Sequence, residues 1–160
     1  MPPLNIRTED FVYLENQSSQ QIKPKPPLAM SSIFTKIIQG QIPSYKVAEN
    51  DEYFAFLDIN PNSKGHTLVV PKKEDDKIFD LDEDSYLKLM KFSYKVAKAI
   101  KRAVPCERVG MSVIGLEVPH VHVHLIPLHT MADANFSKKE ELTKSQFEEI
   151  AYEISRNFQL

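Results

Sequence analysis

Apolar residues change their spacing several times along the chain, and each change predicts an element. Ile33, Phe34, Ile37 and Ile38 fall at helical spacing behind Ser31 or Ser32, either of which can cap a helix, and Gly40 and Pro43 stop it. Lys46–Glu49 and Glu52–Asp58 read as two strands around an Asn50-Asp51 turn, a hairpin signal. Asn60 to Gly65 is turn chemistry, and His66 to Pro71 is a third strand ending at proline. The longest helical pattern runs from Asp80 to Val104, with Asp82, Glu83 and Asp84 suited to its N-terminus and Lys98, Lys101 and Arg102 to its C-terminus. Its apolar face is Leu89, Met90, Val96, Ala97 and Ile100. Val109–Ile114 and His120–Ile126 read as two further strands. A last helix, from Lys144 to Phe158, carries Phe147, Ile150, Ala151 and Ile154 on one face. There is no internal repeat. Short antiparallel strands with flanking helices predict an α+β fold, a sheet of about five strands covered by helices.

Proline use divides the chain. Five of the 11 prolines fall in the first 27 residues, mixed with Gln17, Ser18, Ser19, Gln20 and Gln21, a composition that disfavours regular packing. Phe11-Val12-Tyr13-Leu14 is the exception and suits a short strand or a docked segment. Residues 1–30 therefore read as an N-terminal extension, and residues 31–160 as the folded domain. Met30 opens the more regular sequence, so an overcalled start, an added leader and a docking arm all account for the front stretch.

Composition narrows the class. At 160 residues, 42% hydrophobic and 26% charged, the chain has the balance of a single soluble globular domain. Twenty basic residues against 22 acidic leave a formal charge of −2. Polymeric nucleic acid or an anionic membrane as main partner would demand a surplus of Lys and Arg. A lone cysteine, Cys106, cannot form an intrachain disulfide, which favours a reducing, cytoplasmic setting. No apolar run approaches the roughly 20 residues of a membrane-spanning helix, and no N-terminal stretch reads as a signal peptide.

Histidine changes the picture most. There are five, and three of them, His120, His122 and His124, alternate with Val121, Val123 and Leu125. Period-two alternation puts the valines and leucine on one face of a strand and the imidazoles on the other, about 6.5–7 Å apart. A polar surface strand is the bland reading. A core strand is another, but three buried imidazoles would need partners for their nitrogens. A metal site is a third: His-x-His on a strand can present two imidazoles to zinc, with His124 or His66 to complete the set. Few carboxylates and no thiols lie near the strand in sequence; Glu117 is the nearest carboxylate. The fourth reading is nucleophilic catalysis, because a neutral ring attacks phosphorus well when one nitrogen is free and an acceptor holds the other. Flanking rings then meet phosphoryl oxygens or the leaving group.

These residues carry a resemblance. His120-Val-His122-Val-His124-Leu-Ile is similar to the alternating signature of the histidine triad, or HIT, superfamily of nucleotide hydrolases and transferases. Ile33 to Ser44 resembles the family's opening helix and turn, and Phe54 to Pro61 with Gly65 to Lys72 resembles its nucleotide-binding strands. The likeness covers about residues 31 to 130, and Gly110 to His120 most resembles a compact bacterial branch. It implies a HIT-like fold and a homodimer with sheets joined edge to edge. It implies that His122 is the nucleophile, His120 its orienting neighbour, His124 a phosphate contact and His66 a supporting histidine. Asp58 would receive the ribose hydroxyls, a sound role for a carboxylate. Ile33, Phe34, Ile37 and Phe56, with Ile59 beside them, would clamp the base; from the residues alone they are indistinguishable from core. The implied reaction is hydrolysis of purine nucleotide conjugates, phosphoramidates or dinucleoside polyphosphates, through a nucleotidyl-histidine. A nucleotidyltransferase and a non-catalytic nucleotide- or metal-binding module are the rivals. No cofactor is required by this chemistry, and any zinc or other divalent ion would be incidental.

Two departures from the family concern the substrate. The glycine-rich loop before the triad is short here, and Leu116 and Glu117 occupy it. Glu117 would repel a phosphate unless turned away, and is read as a solvated loop residue, a clamp on an imidazole or a selector. Ser112 is a stand-in for the missing phosphate-binding side chain. Lys72, Lys73 and Lys77 read as a solvated turn rather than phosphate ligands, Asn60-Pro61 as a turn former, and His129 and Cys106 as bystanders.

Overall fold

The computed structural model describes residues 31–160, so the reading of residues 1–30 as an extension, with Phe11 to Leu14 as its strand, lies outside the described residues. The described elements run α1 (Ile33–Ile38), β1 (Lys46–Glu49), β2 (Tyr53–Leu57), β3 (Thr67–Pro71), α2 (Glu83–Ala103), β4 (Arg108–Ser112), β5 (Val123–Leu128) and α3 (Lys144–Arg156). Single 3₁₀ turns lie at Ile78–Asp80 and Met131–Ala134. The five strands form one antiparallel sheet in the order β1-β2-β3-β5-β4. Among the described residues no helix is long and apolar enough to cross a membrane.

Alternation sorts the strands between two layers. Ala55, Leu57, Val69, Val123 and Leu125 point to one face, where α2 supplies Leu89, Phe92, Val96 and Ile100 and α3 supplies Phe147, Ile150 and Ile154. Removing such side chains from water supplies about 1.5–3 kcal/mol each, which makes this layer the main source of stability. The other face carries a smaller cluster, Phe34, Phe54, Phe56, Leu68 and Val70, capped by α1. Phe56 pairs with Leu68, Leu68 with His124 and His124 with Ser112, so one row crosses four strands on this second face. The triad is built there.

Element ends differ from the sequence expectation for identifiable reasons. α2 starts at Glu83 rather than Asp80, because Leu81 is extended and the Asp82 carboxylate takes the Ser85 N–H as the cap. Its buried face also includes Phe92, Ser93 and Ala99, while Met90 and Ala97 are only half-buried. α3 ends at Arg156, where the Asn157 side chain takes the Glu153 carbonyl. The third strand begins at Thr67, since the His66 N–H turns back to Ser63 O. β4 is Arg108–Ser112, not Val109–Ile114.

The last strand differs most. It spans Val123–Leu128, not His120–Ile126, and runs through Pro127. Pairing with β3 ends at Leu125, and the Pro127 carbonyl accepts the Ser63 hydroxyl at 2.5 Å on that side. The missing proline N–H therefore faces a position where no ladder bond is required. His120 closes a bend and His122 stands just before the strand, and only His124 lies within it.

Candidate active site

All three triad imidazoles are buried, His120 fully and His122 and His124 to within 8% exposure. Burial of a polar ring demands partners, and the partners determine which nitrogen carries hydrogen. Nδ1 of His122 lies 2.7 Å from the carbonyl oxygen of His120. A carbonyl only accepts, so Nδ1 carries the hydrogen and Nε2 keeps its lone pair. His66 Nδ1 receives the Asn62 N–H at 3.0 Å, which leaves the His66 hydrogen on Nε2. That N–H points at Nδ1 of His124, 3.0 Å away, so the hydrogen of a neutral His124 resides on its Nε2.

Both rings are held neutral. Burial pushes His66 down to about 3, aided by the neighbouring His124 and by Lys139. Burial likewise lowers His124 to about 4, with His122 and Lys139 adding repulsion. At neutral pH the pair is a fixed chain of donors, from the Asn62 backbone through His66 to His124.

A hollow of about 380 Å³ opens beside them, lined by Asp58, Asn60, Ile114–Glu117, His122, His124, Phe136 and Lys139. A smaller one of about 250 Å³, lined in part by Lys77, Phe79, Val113 and Val121, shares Ile114, Gly115 and His122 with it. His122 thus stands where the two meet. Asp58 Oδ1 accepts the Asn60 N–H at 2.9 Å, and burial raises the Asp58 pKa against the opposing pull of that hydrogen bond, Lys139 and His122.

The other sequence-derived positions divide. Phe34 is buried and meets His122 edge-on at 5.0 Å, His120 at 5.7 Å and Phe56 at 5.7 Å. Phe56 is buried in the same cluster, and Ile37 packs against its margin. Ile33 and Ile59 are exposed, as a face awaiting a ligand or simple surface would be. Ser112 stands opposite His124 in the ladder and lines a separate hollow with Gly110, Met111 and Phe136. Glu117 is exposed and also lines the main hollow. Lys72 and Lys73 pair with Glu49 and Asp75. His129 lies off the row, its N–H bound to Asp133.

Two residues of the hollow were not singled out from sequence. Phe136 packs edge-on against His124 at 4.8 Å, and the Lys139 ammonium sits 3.1 Å from Asn62 Oδ1 and over the Phe136 ring. The segment that carries them is tied to the Pro61–Lys64 turn by Glu140 N–H to Pro61 O and Lys64 N–H to the Glu140 carboxylate. No local pattern marks this pairing, although Lys139 lies in a basic pair beside Phe136 that a search for phosphate ligands beyond the triad would reach.

Asp58, His66 and His124 bring one ligand atom each within 4.8 Å of one another, a spacing that invites a cation. The donor chemistry does not fit one. His66 Nδ1 already accepts a backbone N–H, so its Nε2 carries hydrogen and has no lone pair to offer. Asp58 Oδ2 lies 3.7 Å from that nitrogen, as a carboxylate facing an N–H would.

Comparison with known proteins agrees with this geometry. The HIT domain family model matches residues 39–131. A HIT-like protein of Borreliella burgdorferi is 37% identical over 134 residues, covering 78% of this chain and 96% of its own. The adenosine 5′-monophosphoramidase hnt1 of Schizosaccharomyces pombe is 42% identical over 100 residues, 61% of this chain and 74% of its own. The crystal structure of a Hit-like protein from Bartonella henselae superposes with a TM-score of 0.69 at 32% identity, covering 80% of this chain and 97% of that one. With a five-stranded antiparallel sheet, flanking helices and this family match, the chain belongs to the HIT family.

Proposed function

We propose that the protein hydrolyses purine nucleotide conjugates, phosphoramidates or dinucleoside polyphosphates, through a nucleotidyl-His122 intermediate, releasing nucleoside monophosphate. One observation carries the reading: His122 gives its Nδ1 hydrogen to the His120 carbonyl, and its Nε2 lone pair stands at the junction of two hollows. That is the tautomer a nucleophilic imidazole requires. The fungal relative described as an adenosine 5′-monophosphoramidase supports the substrate class.

In the first step the Nε2 lone pair forms a bond to phosphorus while the bond to the leaving group breaks. The ring becomes cationic, and the His120 carbonyl stabilises its N–H. His124 Nε2–H donates to a non-bridging oxygen, and the Lys139 ammonium offsets phosphoryl charge. In the second step water attacks phosphorus and the P–Nε2 bond breaks. The leaving group takes up one proton from solvent and the attacking water gives one back, so each histidine ends as it began. Asp58 receives the ribose hydroxyls, and Phe34, Phe56, Ile33, Ile37 and Ile59 face the base, with Ser112 behind His124. No step needs a metal or other cofactor.

Two further expectations go with this reading. β4 is an edge strand with Met111 half exposed, which suits joining of two sheets in a homodimer. The single free Cys106 suits a reducing cytoplasm. Incubation with adenylated amine and dinucleoside polyphosphate substrates, with released monophosphate as readout, tests the activity. Transfer of the nucleotidyl group to added phosphate or phosphosugar in preference to water would instead make the protein a transferase.

A further inference from the structure

The far side of His120 is not used in the steps above, yet both of its ring nitrogens are tied. Its Nε2 lies 2.8 Å from Pro71 O and its Nδ1 lies 2.6 Å from Ser32 Oγ, both buried. Because Pro71 O only accepts, the hydrogen is on Nε2, and Nδ1 of the neutral ring accepts the Ser32 hydroxyl. Ser32 is held in turn. Its Oγ accepts the Thr35 N–H at 3.1 Å as the cap of α1, and its N–H reaches the Glu74 carboxylate at 3.2 and 3.3 Å. The Thr35 hydroxyl donates to the same carboxylate at 2.5 Å. Asp75 O takes the Val121 N–H at 2.7 Å. The stretch from Pro71 to Asp75 therefore grips the approach to β5 at three points: the Pro71 carbonyl, the Glu74 carboxylate through Ser32, and the Asp75 carbonyl.

We propose that Glu74, Thr35 and Ser32 form a positioning relay that orients His120, and that the His120 carbonyl thereby fixes the hydrogen of His122 on Nδ1. The inference rests on the reading of His122 as the attacking group. The relay touches no substrate; it acts through a ring and then a carbonyl. Without the Ser32 hydroxyl, the buried Nδ1 of His120 lacks a donor, and the ring is held only at Pro71 O and is free to tilt about that one bond. A small displacement of its carbonyl then frees the His122 hydrogen to move to Nε2, where it blocks the lone pair.

Four variants of the full chain separate the relay from the helix cap. Ser32→Ala removes donor and cap. Ser32→Asp keeps a capping oxygen but only accepts, so it replaces the donor facing His120 Nδ1 by a carboxylate, which draws a hydrogen onto that nitrogen. Ser32→Thr keeps both, and Glu74→Ala lies outside the cap. With an adenosine 5′-phosphate conjugate of a fluorescent amine as probe, Ser32→Asp and Glu74→Ala are expected to lower kcat about tenfold while KM stays within about twofold, and Ser32→Thr to retain activity. Imidazole ¹⁵N spectra of histidine-labelled protein provide a readout that needs no substrate. The wild type should show His122 as the Nδ1–H tautomer, and Ser32→Asp and Glu74→Ala a mixture. An unchanged Nδ1–H signal in both variants overturns the relay, whatever the turnover. Failure of the wild type to release monophosphate overturns the proposed activity instead, and leaves the spectra to decide the relay.

Discussion

His66 Nε2 and His124 Nδ1 stand 3.0 Å apart, and the hydrogen between them belongs to His66, because its other nitrogen is already occupied by the Asn62 N–H. One backbone hydrogen bond thus orders two neutral rings in series. It aims a donor, His124 Nε2–H, toward the hollow in which His122 presents a lone pair. His122 and His124 are set to opposite tautomers by opposite kinds of partner, a carbonyl for one ring and an N–H for the other.

That order makes stability depend on pH. Burial holds His66 near about 3 and His124 near about 4, both below the ordinary 6.5. Between those values and 6.5 the unfolded chain binds protons that the folded chain refuses. Stability is fully present above 6.5 and falls as pH drops through that window, each ring adding a slope of at most about 1.4 kcal/mol per pH unit. Urea midpoints from pH 7.5 to 4 should show the decline, and His66→Gln should flatten it. An equal slope in the variant would show that other groups drive the decline.

His122→Ala should lower monophosphate release at least about 10³-fold. Nucleotide binding, measured by calorimetry, should persist, since the proposed ribose and base contacts are assigned to other residues. Unchanged turnover would remove His122 from the chemistry.

Lys139 brings a positive charge to a hollow that also holds Asp58 and Glu117. Lys139→Ala should raise KM for a nucleotide conjugate roughly fivefold, the equivalent of about 1 kcal/mol for a charge-assisted contact, with a smaller change in kcat. A KM equal to wild type at low and high salt would place the ammonium outside the substrate's reach.

Gly65 precedes His66 with φ of +93°, and a Cβ there would come within 2.9 Å of Val104 Cγ2 and 3.2 Å of Pro127. Gly65→Ala should cost about 1–3 kcal/mol of stability, from backbone strain and this overlap. Thermal unfolding reads it directly; an unshifted midpoint would mean that the turn relaxes around the methyl group.

His66 offers no lone pair to a cation, so exhaustive chelation should leave turnover unchanged. Loss of activity that returns with added zinc would show that the ring can release Asn62 and bind a metal.

Much of this was legible in the amino-acid order because it is local. Alternation at His120, His122 and His124 puts three imidazoles on one side of an extended segment whatever surrounds it, and Val121, Val123 and Leu125 must then face the core. The helix and strand periods likewise placed each described element to within a few residues, except where a cap or a proline partner set the end, as at Asp82 and Pro127. What the tertiary structure decided was the hydrogen on each ring. Those hydrogens depend on Asn62, Pro71 O, Ser32 and the His120 carbonyl, and three of these four come from elements far from the triad in sequence. The partners that three buried imidazoles need, counted against a buried strand from the sequence, arrive from other parts of the fold. Phe136 and Lys139 reach the hollow because their segment is tied to the Pro61–Lys64 turn, more than 70 residues away. Side-chain period is a property of neighbouring residues, whereas a tautomer is a property of whatever the fold brings within 3 Å.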